Sequence, residues 1–332
     1  MELNDYYAKR ERKIWAAMYI VLLIIWATFI MRKVGFDRYL THFPIPLTMI
    51  FGGFVSGFAP VGGGAISFPV FSKVLEMAPA EARDFGFAIQ SFGMTFASIS
   101  ILLRKIKIEK KVVLFSSLGG FVGIIFSNIF IVPFISPSMM KLLFTLMTTS
   151  FGVALFINNF VLKRRYKYRE VISNFSKNDM IVLFIVGVVG GSFSAILGTG
   201  IDIFTFSIIT ILYKLDEKVI NPTSDIIMAI NSIIGLTCRF IFAGSLAGEA
   251  MLNFPLAIPI VTIVAPLGAI VVSKLSRVTV VKFIILGILV EIITTLTSIE
   301  ITLNVIIIST ITFVFSYLFY YGLTKYSDRK IN

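Results

Sequence analysis

Two glycine clusters interrupt long apolar stretches of this sequence: Gly62-Gly63-Gly64 and Gly198-Thr199-Gly200. Each cluster is followed by a short apolar piece, residues 65–76 or 201–213. Because glycine interrupts a helix, each piece is predicted to begin a new helix at its cluster. A helix N-terminus carries about half a positive charge and free N–H groups, so it can bind an anion without lysine or arginine. The clusters are therefore candidate anion-binding sites. Close packing of helices through small residues is the alternative.

Polar residues recur at matched positions in two apolar segments that follow the glycine clusters. The segment 84–91, DFGFAIQS, has the same pattern as the segment 225–232, DIIMAINS. The neutral polar residues that end the two segments are Gln90, Ser91, Asn231 and Ser232. Neutral donors near the middle of a membrane could complete the hydrogen bonds of an oxyanion. The alternative is that these side chains bond to one another between helices.

Three aspartates in apolar surroundings are candidates for proton coupling, because carboxylates within a membrane mark ion pathways. Asp84 and Asp225 occupy matched positions, and Asp202 follows the second glycine cluster. The alternative for Asp84 and Asp225 is an acidic residue in the first turn of a helix, where the dipole favours it, and Arg83 supports that interpretation for Asp84. The alternative for Asp202 is an N-terminal cap. Arg239 is expected to extend to the membrane interface or to attract anions at a vestibule.

The composition excludes a soluble globular protein. Hydrophobic residues make up 57% of the 332 residues, charged residues only 14%, and the mean hydropathy is +0.93. Soluble chains carry roughly 25% charged residues. The net charge of +12 comes from short basic runs beside apolar segments, which favours contacts with anionic lipid over nucleic-acid binding. One cysteine and one histidine give no basis for a disulfide framework or a multi-histidine metal site, and no cofactor is predicted.

The apolar segments predict eight membrane spans, because a spanning helix needs about 20 apolar residues. Segments of that kind lie at 14–31, 84–103, 112–132, 139–162, 222–243, 254–273, 279–297 and 303–322. Two further apolar stretches, 46–75 and 180–213, contain the glycine clusters. As helices, their second pieces would be about 20 Å long or less, whereas the hydrocarbon core is about 30 Å thick. Each stretch is therefore predicted to form a re-entrant helical hairpin.

Lysine and arginine concentrate on one predicted side of the membrane. They are abundant in the segments 1–13, 104–111, 163–179, 214–224, 274–282 and 323–332. They are sparse in the segments 32–45, 76–83, 133–138, 244–253 and 298–302. Since cytoplasmic loops carry the excess of positive charge, the pattern predicts a multi-pass protein of the cell membrane with both termini in the cytoplasm.

The matched segments divide the chain into two repeat units of one hairpin plus three spans, 46–162 and 180–297. A basic cytoplasmic linker, 163–179, joins them. Residues 1–45 comprise the cytoplasmic N-terminus, the first transmembrane helix and an external loop, and 298–332 comprise the last transmembrane helix and a cytoplasmic tail. The two hairpins enter from opposite faces. The predicted fold is thus an all-α integral membrane protein with an inverted-topology repeat and an extra flanking helix at each end.

The first hairpin resembles a known family. The residues that carry the likeness are the segment 53–64, GFVSGFAPVGGG, then Pro69, then the segment 84–91. The chain is similar here to the sulfite exporter TauE/SafE family, and residues 187–200 contain a weaker second copy of the glycine-rich motif. The resemblance covers roughly residues 46–322. It implies a permease for a small anion, such as sulfite, an organosulfonate or a related sulfur compound.

These observations predict a secondary transporter of a small anion rather than an enzyme, working by alternating access around a site near the membrane midplane. Its expected partners are the anion, membrane lipid and a proton or cation co-substrate, and the oligomeric state is left open. Nothing resembles a P-loop, so gradients would supply the energy. One alternative is a passive anion channel. The other is an intramembrane aspartyl protease using Asp202 and Asp225, although Gly198-Thr199-Gly200-Ile201-Asp202 is one residue longer than the Gly-x-Gly-Asp element of such enzymes.

Overall fold

The computed structural model describes residues 2–59, 68, 70–156, 171–172, 175–272, 275, 277–298 and 302–331. The regular structure of these residues is helical, in agreement with the predicted all-α class. The helices, numbered along the chain, are α1 Glu2–Phe29, α2 Phe36–Thr41, α3 Pro44–Phe58, α4 Pro79–Leu103, α5 Lys110–Phe130, α6 Pro137–Phe156, α7 Lys177–Leu197, α8 Ile201–Tyr213, α9 Glu217–Ala243, α10 Ala250–Val272, α11 Arg277–Ser298 and α12 Leu303–Ile331. Short π-helical turns cover Ile30–Val34 and Val70–Val74, and a 3₁₀ turn covers Val132–Phe134.

Eight stretches of helix in the described part of the chain are long and apolar enough to cross a membrane. They are Lys13–Val34, Pro79–Leu103, Lys110–Phe130, Pro137–Phe156, Lys177–Leu197, Lys218–Ala243, Ala250–Val272 and Val305–Leu323. Seven of them match predicted spans. The eighth, α7, was predicted to be one arm of a hairpin, but its 21 residues reach the length of a span. The predicted span 279–297 lies within α11, where only the shorter stretch Ile285–Thr294 is apolar by the same measure.

The matched segments lie in the middle of the bundle, on α4 and α9, which pack directly against each other. Helix α10 packs on α3 and α4, and α5 packs on α7 and α9. Two of these contacts are made through glycines. A Cβ atom added to Gly191 of α7 would lie 2.7 Å from the Cα of Gly120 on α5, and one added to Gly57 of α3 would lie 2.9 Å from the amide nitrogen of Ala269 on α10. These glycines therefore allow the close backbone packing of α7 on α5 and of α3 on α10.

Prolines in α10 help to dock the first helix. Pro259 has no N–H to donate to the carbonyl of Pro255 one turn earlier, so that carbonyl is left free within the helix. The indole nitrogen of Trp26 on α1 donates to it, with an N–O distance of 2.7 Å. One turn away, the Tyr19 hydroxyl donates to the Pro259 carbonyl at 3.1 Å. In an apolar surrounding a freed backbone carbonyl needs such a partner, and α1 provides it.

At one end of the bundle, polar side chains of different segments contact one another. We name it the Asp84 end, because Glu81, which takes part in these contacts, lies one turn before Asp84 on α4. Arg38 pairs with Glu249 at 2.5 Å and donates to the side-chain oxygen of Asn253 at 2.8 Å. Asn253 in turn donates to Glu81 at 3.0 Å. These residues belong to three segments that were predicted to be external, 32–45, 76–83 and 244–253, and the three segments meet here.

The opposite end, named the Glu109 end, gathers segments that were predicted to be cytoplasmic. The backbone amide of Glu109 donates to the Thr223 hydroxyl at 3.0 Å, and the carboxylate of Glu109 accepts from the amide of Ile172 at 3.2 Å. The Tyr213 hydroxyl, at the end of α8, donates to Asp179 at the start of α7 across 2.9 Å. Helices α7 and α8 thus form a hairpin whose two open ends lie together at the Glu109 end.

The tip of this hairpin is the turn Gly198-Thr199-Gly200. The backbone of Gly198 lies against Arg83, because a Cβ atom added to Gly198 would be 3.1 Å from the Cα of Arg83. Arg83 is four residues past the first residue of α4, about 6 Å along that helix. The turn therefore lies nearer the Asp84 end than the middle of the bundle, where it had been expected. Its counterpart, Gly62-Gly63-Gly64, lies outside the described residues.

Candidate functional site

Two of the matched polar residues meet in the middle of the bundle. The Ser232 hydroxyl on α9 donates to Oε1 of Gln90 on α4, with an O–O distance of 3.1 Å. Both side chains are buried, with 3% of the surface of each exposed. Gln90 is close to the midpoint of the 25-residue helix α4. For this pair the structure shows the alternative named from the sequence, a hydrogen bond between the side chains of two helices.

Two buried polar atoms of the matched residues have no hydrogen-bond partner: Nε2 of Gln90, which is a donor, and Oδ1 of Asn231, which is an acceptor. The other side of the Asn231 amide donates to the Ile227 carbonyl at 2.8 Å. Ser91 donates to the Phe87 carbonyl of its own helix at 2.7 Å. A buried polar atom without a partner is costly, so Gln90 and Asn231 are the members of the predicted set that remain available to a ligand.

A small cavity of about 10 Å³ adjoins Gln90 between α3, α4 and α10. Its lining is mostly apolar and consists of Met49, Gly53, Ser56, Gly86, Ile89, Gln90, Gly93, Val261 and Ala265. A cavity of this size holds about one water molecule. The structure is therefore closed around Gln90, and a sulfur oxyanion would need the surrounding helices to separate.

The turn between α7 and α8 has a conformation that requires glycine at two positions. The backbone φ angle is +81° at Gly198 and +141° at Gly200, and L-residues with side chains rarely adopt such angles. Thr199 between them is buried. The sequence pattern thus correctly predicted a helix break here and a new helix starting at Ile201.

The N-terminus of α8 already holds a negative group, the carboxyl of Asp202. Its Oδ1 atom accepts from the amide of Gly200 at 3.1 Å and from the Thr199 hydroxyl at 3.5 Å. The amide of Ile201 donates to the hydroxyl of Ser194 at 3.0 Å. These amides were predicted to bind an external anion, and in this structure the chain's own side chains occupy them. The second oxygen of Asp202 has no partner.

Asp84 lies in a buried ionic cluster. Its carboxylate accepts from Arg83 at 2.7 Å, from the Nε atom of Arg239 at 3.1 Å and from the amide of Ala247 at 2.8 Å. Arg239 also donates to Asn128 on α5 at 3.5 Å. Only 12% of the Arg239 side chain is exposed, because it pairs with Asp84 instead of extending from the surface of the bundle. Sequence reasoning missed this pair because nothing local to either residue points to the other.

Asp225 occupies the position in the second matched segment that Asp84 occupies in the first, but the surroundings of the two side chains differ. Asp225 is 1% exposed, and both carboxyl oxygens lack a hydrogen-bond partner. Asp84, in contrast, has two arginines. The matched aspartates are therefore not equivalent in the folded chain, although their sequence contexts are alike.

The fold and these buried polar groups define a class. An all-helical chain with eight stretches long and apolar enough to cross a membrane is a multi-pass membrane protein, and its polar centre between packed helices is a place where such proteins bind a solute. Residues 45–296 match the family model described as Sulfite exporter TauE/SafE. The chain therefore belongs to that family, whose members are anion permeases of the sulfite exporter type rather than enzymes. No curated protein and no solved structure matched the chain.

Proposed function

We propose that this protein is a secondary transporter of a small sulfur-containing anion, such as sulfite or an organosulfonate. The observation that carries the proposal is the buried Gln90–Ser232 pair, with the unpartnered Nε2 of Gln90 beside it. A transported ion must be bound strongly enough to lose water and weakly enough to leave again. Neutral donors meet that requirement better than a buried lysine or arginine, which would hold the anion as an ion pair.

The two unpartnered side-chain atoms suggest how the substrate is oriented in the site. Nε2 of Gln90 is a donor that suits an oxygen of a sulfite or sulfonate group. Oδ1 of Asn231 is an acceptor, and it suits a protonated group of the same molecule, such as the hydroxyl of hydrogensulfite or the ammonium of an aminosulfonate. Asn231 lies close to Gly120 and Ile201, since a Cβ atom added to Gly120 would meet both. The proposed site therefore extends from Gln90 towards the start of α8.

Alternating access between two inverted repeats, 46–162 and 180–297, is the proposed mechanism. The helix contacts support it. Under the proposed repeat α3 corresponds to α7, α4 to α9 and α5 to α10. The contact of α3 with α10 then corresponds to that of α7 with α5, and the contact of α4 with α10 to that of α9 with α5. Three helices of each unit are thus packed on the other unit in the same way, so the units can rock against each other about the α4–α9 contact.

The Asp84 cluster is proposed to close one access path. It joins α4 to α9 through Arg239, and it holds the 244–249 loop through the amide of Ala247. We propose that this end faces outward, with both termini in the cytoplasm of a cell-membrane protein, because the basic segments lie towards the other end. Opening would require Arg239 to leave Asp84.

Flux measurements with the purified protein in liposomes test the function. Labelled sulfite, sulfate, thiosulfate, taurine and sulfoacetate would be supplied in turn under imposed pH and voltage gradients. We expect saturable flux of at least one sulfur anion, lost when Gln90 is replaced by methionine. Absence of flux for all five, or flux unchanged by Gln90→Met, would contradict the proposal. Flux that never responds to any ion gradient would instead indicate a passive channel.

A further inference from the structure

We propose that Asp202, Thr205, Asn221 and Asp225 form a binding site for a sodium ion, the coupling ion of the transporter. The inference rests on the proposed function, since it names the second solute. The four residues lie on two adjacent helices, α8 and α9, and were not grouped by any sequence motif. Together we name them the α8–α9 oxygen cluster.

The connection between the two helices determines their relative heights. Residues 214–216 join the end of α8 at Tyr213 to the start of α9 at Glu217, and the two helices pack against each other. Thr205 is eight residues before Tyr213, and Asp225 is eight residues after Glu217, about 12 Å along each helix. In an antiparallel pair these two residues lie at the same level. Asp202 is about one turn farther from the connection.

Helical spacing places the members of each pair on one face. Asp202 and Thr205 are three residues apart on α8, and Asn221 and Asp225 are four residues apart on α9. Both spacings align side chains along a helix. All four side chains are buried, and α8 packs against α9. The packed pair therefore places the two faces at neighbouring levels of the bundle.

All four side chains are buried, with exposed fractions of 1% for Asp202, 0% for Thr205, 4% for Asn221 and 1% for Asp225. Each has at least one polar atom without a hydrogen-bond partner. These atoms are Oδ2 of Asp202, Oγ1 of Thr205, Oδ1 and Nδ2 of Asn221, and both carboxyl oxygens of Asp225. Five of these six atoms are oxygens. In a folded protein nearly all buried polar atoms have partners, so five unpartnered oxygens on four neighbouring residues indicate a missing ligand.

The charge of the cluster indicates what the ligand is. Two buried carboxyl groups lie on two packed helices, and neither pairs with a lysine or arginine among the described residues. Two buried carboxylates without a counter-ion are unstable, so the site requires a positive ion. A proton could join the carboxyl oxygens, but it would leave the amide oxygen of Asn221 and the hydroxyl of Thr205 unsatisfied. Carboxylate, amide and hydroxyl oxygens together are the ligands of a hard metal cation.

The position of the cluster suits coupling to the anion. Asn221, Asp225 and Ser232 repeat at intervals of four and seven residues and therefore share one face of α9. Ser232 is about 10 Å along the helix from Asp225 and bonds to Gln90 in the proposed anion site. A cation at the cluster would attract an anion at Gln90. Each ion would then strengthen the binding of the other, which is the reciprocity that coupled transport requires.

Binding of radioactive ²²Na⁺ to the purified full-length protein tests the inference without any anion. For the wild type we expect saturable binding that unlabelled sodium displaces and choline does not. Asp225→Asn should weaken this binding at least tenfold, and Thr205→Val should weaken it several-fold while Thr205→Ser preserves it. Ser127→Ala is the matched control, because the Ser127 hydroxyl is also buried and unpartnered. Ser127 lies near the C-terminal end of α5, outside the α8–α9 oxygen cluster. This variant should bind sodium like the wild type.

The sodium site would be overturned if the wild type showed no saturable ²²Na⁺ binding, or if Asp225→Asn bound sodium as tightly as the wild type. Anion flux in choline medium that follows only the pH gradient would also overturn it, in favour of a proton, and would leave the proposed function standing. Sodium binding in a protein that moves none of the five anions would support the site and contradict the proposed function instead.

Discussion

Arg239 on α9 forms an ion pair with Asp84 on α4, although 155 positions separate them in the sequence. Asp84 is fully buried and also pairs with its neighbour Arg83. The single carboxylate of Asp84 thus pairs with two guanidinium groups, and it also accepts a hydrogen bond from the backbone amide of Ala247. The carboxylate is therefore the member of the cluster whose removal leaves the most uncompensated charge.

We expect Asp84→Asn to destabilise the protein strongly. Removal of one partner from a buried ion pair leaves the other charge unpaired and costs about 3–5 kcal/mol. The thermal unfolding midpoint of the purified protein in detergent measures the effect. Asp37→Asn is the matched control, because Asp37 is exposed on α2, and it should change the midpoint little. A midpoint of Asp84→Asn equal to that of the control would show that the ion pair does not stabilise the fold.

Gln90→Met should separate stability from transport. Methionine has a similar volume and removes the unpartnered Nε2, while the Ser232 hydroxyl can turn to a carbonyl of its own helix, as Ser91 does. Loss of an unsatisfied buried group is close to neutral for stability. We expect an unchanged unfolding midpoint and at least a tenfold loss of anion flux. Ser100→Ala on the same helix, which also removes a buried unpartnered hydroxyl, should retain flux. Loss of flux in both variants would contradict a specific role for Gln90.

Gly198→Ala should be more destabilising than Gly244→Ala. Both glycines have positive φ angles, +81° and +72°, so both substitutions introduce backbone strain of about 1–3 kcal/mol. Only Gly198 faces a neighbour: a Cβ atom there would lie 3.1 Å from the Cα of Arg83, whereas nothing lies within 4 Å at Gly244. Because both substitutions introduce similar backbone strain, the difference between the two unfolding midpoints measures the effect of the contact with Arg83. Equal midpoints would mean that the turn can move away from α4.

The sequence predicted those features of the fold that depend on the local pattern of residues. The helix break at Gly198–Gly200 follows from glycine, and the start of α8 at Ile201 follows from that break. The bond between Ser232 and Gln90 is of the interhelical kind that was the alternative for the matched polar residues. Hydrophobic length alone did not distinguish an arm of a hairpin from a spanning helix, so the extent of α7 was underestimated.

The difference between the aspartates could not be predicted from the sequence. Asp84 and Asp225 have alike neighbours along the chain, but Arg239 reaches only Asp84 in the fold. Similarly, the carboxylate of Asp202 occupies the helix terminus that had been assigned to an external anion. Such electrostatic roles depend on which distant residues the packed helices bring near, and a local pattern does not contain that information.

The close packing of α7 on α5 leads to the last prediction. Gly191→Ala would place a Cβ atom 2.7 Å from the Cα of Gly120, and a backbone atom cannot turn aside as a side chain does. The two helices would have to separate, with loss of the contacts along their interface, so we expect a lower unfolding midpoint and reduced flux. Gly287→Ala on α11 is the matched control, because nothing lies within 4 Å of its added Cβ and alanine favours a helix by about 1 kcal/mol over glycine. It should unfold at the same or a higher temperature. If Gly191→Ala behaves like Gly287→Ala, the backbone contact between α7 and α5 is not a constraint on the fold.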